Sequence, residues 1–548
     1  SFNVYDAELM HPVLAAKFPE LRTFVGKGID DPTADLRIAY SPYTGFSGSI
    51  LSGKHTTVYI DPYTQDLENY VVYYRKDLKK NASSPAFECK TAHNEIGKYS
   101  TEAENSAAFT GDCNLRRYRL AQSSNGEYSQ YHIGQAGGTT GDDTNDKAIV
   151  QAAMNVTMIR VNGVYERDLG ITMQFVPNND LIIYLNAGTD PWAGEYNNTT
   201  QTTIDNVIGN ANYDIGHNFN TSGGGSAGCI GCICTTGSKG SGYTGLPAPI
   251  GDPFDIDYVA HEMGHQFGGF HTQASSSCRS GSGQTEVEPG SGSTIMGYAG
   301  ICNANVQNQS DDYFHYVNIR DIVQNINSGV SSSCAELITS GNGSPVADAG
   351  FDYSIPTSTP FILEGVGSDP DDSGLTYCWE QNDPESAGSA GPPSTTRTQG
   401  PQFRSLDPVT VPVRYMPNLP DVIAGNNPTW EVLNSVSRNM EFAFTVRDNN
   451  NVSGCTESDL MSVSVVGTAG PFIVNAPNGG ETLFTGNNAT VTWDVANTDA
   501  APISASTVDV FLSTDGGLTY PFTVATGVAN TGTANLIVPN QISTTCRM

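Results

Sequence analysis

The run His261-Glu262-Met263-Gly264-His265-Gln266-Phe267-Gly268-Gly269-Phe270-His271 sets three histidines, a glutamate and a glycine at fixed spacing. On a helix, His261 and His265 project from one face and can hold one metal ion together. Glu262 lies beside them, close enough to act on a water held there. Gly268 is where a helix could stop, because glycine enters φ > 0 conformations without steric cost. That turn would bring His271 round as a third nitrogen ligand. Three protein ligands leave one tetrahedral position open, which marks a catalytic rather than a structural zinc site. A helix that merely buried core histidines would not need the glycine.

Several elements must position these groups. The pattern predicts a strand at 116–121, a helix around 146–169 with packed spacing over 148–160, and a strand-like run at 172–184. The histidine helix follows a Gly-rich stretch, and residues 314–326 read as a terminal helix. The run 213–219 reads either as an edge strand, to which an extended peptide could add through main-chain hydrogen bonds, or as an internal strand.

Further on, Ser293-Thr294-Ile295-Met296-Gly297-Tyr298 resembles the Met-turn of the metzincin peptidases, where a methionine packs beneath a three-histidine site. Tyr298 stands where some metzincins carry a tyrosine that approaches the metal; core packing is its other reading. The region is similar to the reprolysin (adamalysin) group, especially its bacterial reprolysin-like members. It departs from typical adamalysins at Thr272, where they have Asp after the third histidine, and at Gln266-Phe267, where they usually have Asn-Leu. The resemblance implies an α+β catalytic domain with a mixed sheet and a zinc-site helix. It further implies one catalytic Zn²⁺ on His261, His265 and His271, Glu262 as general base, Tyr298 as a helper, and Gly268 and Met296 as structural support. The implied activity is zinc-dependent cleavage of internal peptide bonds in proteins or peptides, by a chain made as a zymogen.

Composition sets outer limits. With 548 residues the chain is too long for one domain. Its 58 Gly and 30 Pro suit a loop-rich, β-rich protein, and no stretch reaches the ~20 apolar residues of a membrane span. A net charge of −31 should repel nucleic acid, keep the protein soluble and leave calcium binding open. The beginning, Ser1-Phe2-Asn3-Val4, carries no signal-like segment, and the chain is read as a secreted or surface-exposed bacterial monomer.

Eleven cysteines at irregular spacing point to an oxidising compartment. Cys229, Cys232, Cys234, Cys278, Cys302 and Cys334 can form three disulfides, a reading favoured over a second metal site. Cys89 has two readings. Cysteine counting favours a disulfide to Cys113, with Cys378 paired to Cys455 and Cys546 left over; the alternative is a thiolate zinc blocker, a zymogen switch.

Four units are expected: a β-rich inhibitory pro-region over 1–112, the zinc peptidase over 113–339, and β-sandwiches over 345–467 and 470–548. Half-buried alternation at 36–40 and 57–60, with a run at 70–74, gives the first its strands, and the polar stretch 79–111 reads as a processing linker. Pro345-Val346-Ala347-Asp348-Ala349-Gly350 and Gly367-Ser368-Asp369-Pro370-Asp371-Asp372 resemble immunoglobulin-like PKD modules; Pro477-Asn478-Gly479-Gly480-Glu481 and Val491-Thr492-Trp493-Asp494 resemble another immunoglobulin- or fibronectin-like sandwich. Asp369, Asp371 and Asp372 could take Ca²⁺ or form a solvated turn. The competing function is a surface adhesin whose β-modules bind a partner while the peptidase stays latent.

Overall fold

The structure, a computed structural model, describes residues 1–79, 88–91, 108–279, 281, 284–371, 374–386, 388–389 and 391–548. Most of the linker read at 79–111, and Asp372, lie outside these residues.

Alternating half-buried residues at the start of the chain form a six-stranded antiparallel meander: β1 (Phe2–Asp6), β2 (Arg22–Gly28), β3 (Asp35–Ser41), β4 (Gly45–Leu51), β5 (Val58–Pro62) and β6 (Tyr70–Tyr74). Helix α1 (Pro12–Lys17) interrupts it after β1. This sheet packs on the peptidase rather than standing apart. Leu9, Leu14, Phe18, Leu21, Ala39 and Leu51 belong to the same buried cluster as Ile149, Met158, Met263 and Met296. Arg37, buried, pairs with Asp35 and with Glu166, and Arg160 reaches both Asp61 and Asp255. Removing one partner of such a buried pair costs several kcal/mol, of the order of 3–5, because the other charge stays in low dielectric.

The short strand β7 (Ala108–Thr110) leads into the mixed sheet at 115–338, built from β8 (Leu115–Ser124), β9 (Ile171–Phe175), β10 (Ile215–Asn220), β11 (Gly224–Ser226), β12 (Gly242–Gly245) and β13 (Glu336–Ile338). Its order is β11-β12-β10-β8-β13, with β9 also on β8. β8, β9, β10 and β12 run parallel; β11 runs antiparallel to β12 and forms the rim. Thus the run read at 213–219 is internal, because β10 has β8 on one side and β12 on the other. The strand read at 172–184 is shorter than expected, giving way to a 3₁₀ turn at Asn179–Ile182.

Helices α2 (Gly126–Gln135), α3 (Asp143–Leu169) and α4 (Asn197–Val207) flank the sheet. Asp142 caps α3 by accepting from the Thr144 and Asn145 N–H groups, and Gly170 ends it at φ 62°. α3 is buried on nearly every side, because β3 and β4 cover the face that the sheet does not. Next, α5 (Asp252–Phe254) passes through a π-wound stretch, Asp255–Ala260, into α6 (His261–Phe267). Helix α7 (Tyr316–Ser328), capped by His315, is the terminal helix read at 314–326, shifted by two residues.

Residues 346–466 are β-rich. They comprise β14 (Val346–Asp348), β15 (Tyr353–Pro356), β16 (Phe361–Glu364), β17 (Val366–Ser368), β18 (Thr376–Gln381), β19 (Val413–Met416), α8 (Leu419–Ala424), β20 (Arg438–Arg447) and β21 (Thr456–Val466). Leu363, Trp379, Met440, Phe442, Phe444 and Val463 share a core of their own. β7 adds antiparallel to β21, and Asp168 of α3 meets Arg447 of β20 at 2.9 Å, both side chains fully buried. Beyond lie β22 (Ile473–Ala476), β23 (Asn488–Asp494), β24 (Thr507–Leu512), β25 (Phe522–Ala529) and β26 (Thr533–Ile537), in one three-stranded and one two-stranded sheet.

The disulfides correct part of the sequence reading. Cys229–Cys232, Cys234–Cys334 and Cys278–Cys302 use the six cysteines expected to pair. However, Cys113 joins Cys455, not Cys89, and Cys378 stays a buried thiol. The expectation failed because it kept each pair within one unit, whereas β7 and β21 bring Cys113 and Cys455 together across the fold. No helix among the described residues is long and apolar enough to cross a membrane.

Candidate active site

Helix α6 carries His261 and His265 on one face, and it ends where the sequence places Gly268, at φ 118°. The Gly268 and Gly269 N–H groups donate to Gly264 O at 3.1 and 2.8 Å, turning the chain so that His271 faces back. Its Nε2 lies 3.1 Å from His261 Nε2 and 3.0 Å from His265 Nε2. Backbone carbonyls hold the first two rings: Ile295 O lies 2.7 Å from His261 Nδ1, and Gly269 O lies 2.7 Å from His265 Nδ1. A carbonyl can only accept, so each Nδ1 carries the proton and each neutral ring turns an Nε2 lone pair inward. Lone pairs converging at this distance fit a shared cation, and an imidazole donor set suits zinc.

Met296 packs beneath the tripod. A Cβ on Gly264, inside the motif, would come within 2.5 Å of Met296 Sδ, so helix and methionine touch only because residue 264 has no side chain. Thr272 N–H donates to Met296 O at 3.2 Å, linking the stretch after His271 to the same turn. Tyr298 lies over the rings, its centroid 4.5 Å from that of His271 and 5.6 Å from that of His261. Burial, reinforced by Cys89 and Glu262, pushes its phenol well above the ordinary range, so it remains a hydrogen-bond donor.

Glu262 is fully buried against the rim strand. A Cβ on Gly225 would meet its Cγ at 2.6 Å, so the bare backbone of β11 lets the carboxylate in. Burial pushes this carboxyl up to about 8, opposed by hydrogen bonds from Cys89, Thr91 and Ala227.

Residues 88–91 occupy the groove between β11 and the histidines. Cys89 pairs in parallel with Gly225; Lys90 N–H donates to Gly225 O at 2.7 Å and Gly225 N–H to Glu88 O at 3.0 Å. Cys89 Sγ and one nitrogen from each of His261, His265 and His271 all lie within 4.8 Å of one another, a group that could hold a metal ion. Thr91 Oγ1 donates to Glu262 Oε2 at 2.9 Å and accepts the Ala227 N–H at 2.8 Å.

The sequence reading did not single out Thr91, Gly225 or Ala227, since a threonine and two small residues carry no motif. It also treated Gln266 only as a departure from the family pattern. In the fold, Gln266 Oε1 meets His217 Nδ1 at 2.8 Å, and His217 Nε2 meets Thr244 Oγ1 at 2.9 Å, tying α6 to β10 and β12. Asp369 and Asp371 lie away from this site in a surface turn, accepting from the Asp371 and Gly343 N–H groups.

Residues 115–329 match the family model described as Metallo-peptidase family M12B, Reprolysin-like. The matched stretch begins at β8, ends just past α7 and includes the three histidines, Glu262 and Met296. That stretch is therefore similar to the metallopeptidase domain that the family model describes. The family implies a zinc metalloprotease with the His261, His265 and His271 cluster available to the metal. No match was found among curated proteins or solved structures.

Proposed function

We propose that the chain is a secreted zinc endopeptidase held latent by its own N-terminal region. His261, His265 and His271 would hold the metal. When bound, zinc supplies Lewis-acid polarisation of the scissile carbonyl and acidifies water. Glu262, as general base, takes a proton from the attacking water and delivers it to the leaving amine. Tyr298, protonated and beside the rings, donates a hydrogen bond to the developing oxyanion. Met296 and Gly268 shape the site from below and take no part in proton transfer. Once residues 88–91 leave, the edge of β11 would bind an extended substrate as an added strand, using the Gly225 N–H and C=O groups that now face residues 88–90.

The observation that carries the reading is the convergence of three imidazoles and Glu262 upon a rim strand already occupied by a peptide segment. That segment supports latency as well. Cys89 stands where a thiolate would complete the tripod, and Thr91 engages the base. The segment pairs in parallel with β11, and Cys89 is the residue it sets beside the histidines. Cleavage between the N-terminal sheet and β8 would free the groove. On this reading residues 1–112 are the pro-region, 113–339 the peptidase, and 345–467 and 470–548 PKD-like and immunoglobulin-like sandwiches. Four disulfides fit an extracellular setting.

The test is metal analysis of the purified chain with casein and peptide-library cleavage before and after limited trypsin treatment. One zinc per chain and activity that appears with the cut are expected. A trimmed, zinc-loaded chain that cleaves nothing would overturn the proposal.

A further inference from the structure

We infer that the β region 346–466 is a working part of the peptidase site. Through Ser389 and Glu385 it holds the stretch of chain that leaves His271, with Glu288 as the positioning residue on the opposite side. This rests on reading His261, His265 and His271 as the zinc tripod.

Residues 272–276, directly after the third histidine, have strand-like partners on both flanks. On one flank Gln273 pairs in parallel with Glu288: Glu288 N–H donates to Thr272 O and Ala274 N–H to Glu288 O, each at 2.9 Å. On the other, Ser275 pairs in parallel with Ser389; Ser389 N–H donates to Ala274 O at 2.9 Å and Ser276 N–H to Ser389 O at 2.8 Å. Further ties follow. Glu385 N–H donates to Glu286 O at 3.0 Å, Arg279 Nη2 to Glu385 O at 3.1 Å, and Ser293 Oγ to Ser405 O at 3.2 Å. A module joined to the peptidase as a spacer would have no need to pair with this particular loop.

Glu288 passes the constraint to the site. Its buried carboxylate accepts Thr272 Oγ1 at 2.6 Å, Thr294 Oγ1 at 2.5 Å and the Ser293 N–H at 2.9 Å. It fastens the residue after His271 to the residues just before Met296. Thr285 Oγ1 adds a bond to His271 O at 2.8 Å. A carboxylate suits this position because it accepts at both oxygens at once; an amide could keep the Ser293 N–H on its oxygen only by forcing the Thr272 and Thr294 hydroxyls to turn round and accept. His271 approaches from a loop rather than from α6, so its placement depends on that loop being held from outside.

The experiment uses the full chain and compares wild type with Glu288→Gln, Arg279→Met and Ser389→Pro. Zinc retention is read by competition with a chromophoric chelator, ligand geometry by the visible spectrum of the cobalt-substituted chain, and folding by near-UV circular dichroism. Each variant should lose zinc about 10–100-fold more readily, the usual effect of removing a group that orients metal ligands, with altered cobalt bands. If Ser389→Pro unfolds, Arg279→Met decides the question, because it cuts the side-chain tie to Glu385 without changing backbone; since Arg279 also pairs with buried Glu286, Arg279→Lys, which keeps a cation there, serves as its control. Folded Glu288→Gln and Arg279→Met chains with wild-type zinc retention and cobalt spectra would overturn the inference while leaving the tripod reading intact. A wild-type chain that bound no zinc would overturn both.

Discussion

Thr91 and Glu262 meet at 2.9 Å, hydroxyl to carboxylate, two residues past the cysteine that faces the three histidines. The same hydroxyl accepts the Ala227 N–H from the chain just beyond the rim strand. One short segment therefore reaches the three histidines, Glu262 and the rim strand together.

In the uncleaved chain, Thr91→Val leaves the buried Glu262 carboxyl without one of its hydrogen-bond partners, a cost of about 1–3 kcal/mol. The fraction of molecules with the groove open, and with it basal peptide cleavage, should rise about 10–100-fold. Cys89→Ala should raise it further. A Thr91→Val chain as silent as its parent in a fluorogenic peptide assay would remove Thr91 from the latching contacts.

Glu262→Gln keeps the shape of the side chain and loses the base. After pro-segment removal, kcat should fall by about 10²–10⁴, the range of general acid–base contributions, with zinc content unchanged. A strong chelator should abolish wild-type activity, and added zinc restore it. Activity that survived complete metal removal would exclude the mechanism.

Gly264→Ala tests the contact beneath the motif. Its methyl group would lie 2.5 Å from Met296 Sδ, with Phe314 Cε1 at 3.3 Å. Overpacking of this kind costs about 1–3 kcal/mol, so the thermal midpoint should drop and zinc should be held less tightly. Adding Met296→Ala should recover part of the lost stability; failure of the pair to interact in a double-mutant cycle would show that Met296 does not press on α6.

Arg447→Met leaves Asp168 buried with one cation fewer, though Arg167 and the Phe314 N–H remain. Loss of one partner of a buried pair costs about 3–5 kcal/mol. Urea unfolding should show this on the peptidase signal as well as that of the β region, because Asp168 belongs to α3 and Arg447 to β20. A loss confined to the β region would mean that the two unfold independently.

Burial pushes His217 down from the ordinary 6.5 to about 4, with the Gln266 hydrogen bond opposing. An unfolded chain takes up this proton near pH 6.5, whereas the folded chain does so only near 4. The contribution is therefore complete above 6.5 and lost as pH falls from there towards 4. Unfolding free energies measured across this window should decline more steeply for wild type than for His217→Asn. Equal slopes would assign the acid sensitivity elsewhere.

The local chemistry was legible because it is written at helical spacing. His261 and His265 share a face by virtue of 3.6 residues per turn, and Gly268 ends α6 where its freedom at positive φ is needed. The long helix α3 and three of the six N-terminal strands, β3, β5 and β6, were likewise visible as apolar patterning. Thr91, Gly225 and Glu288 were not visible, because each acts through partners brought near only by sheet pairing.

By itself, then, the sequence placed the histidine trio, its neighbouring carboxylate and the methionine after it, since these depend on short-range backbone geometry. Tertiary structure alone decided that β10 is internal and β11 the rim, that Cys113 joins Cys455, and that Cys89 faces the histidines. It also decided that Ser389 pairs with the chain after His271. Such choices are settled by which strands find one another across hundreds of residues, where burial and hydrogen-bond completion over the whole fold outweigh any local preference.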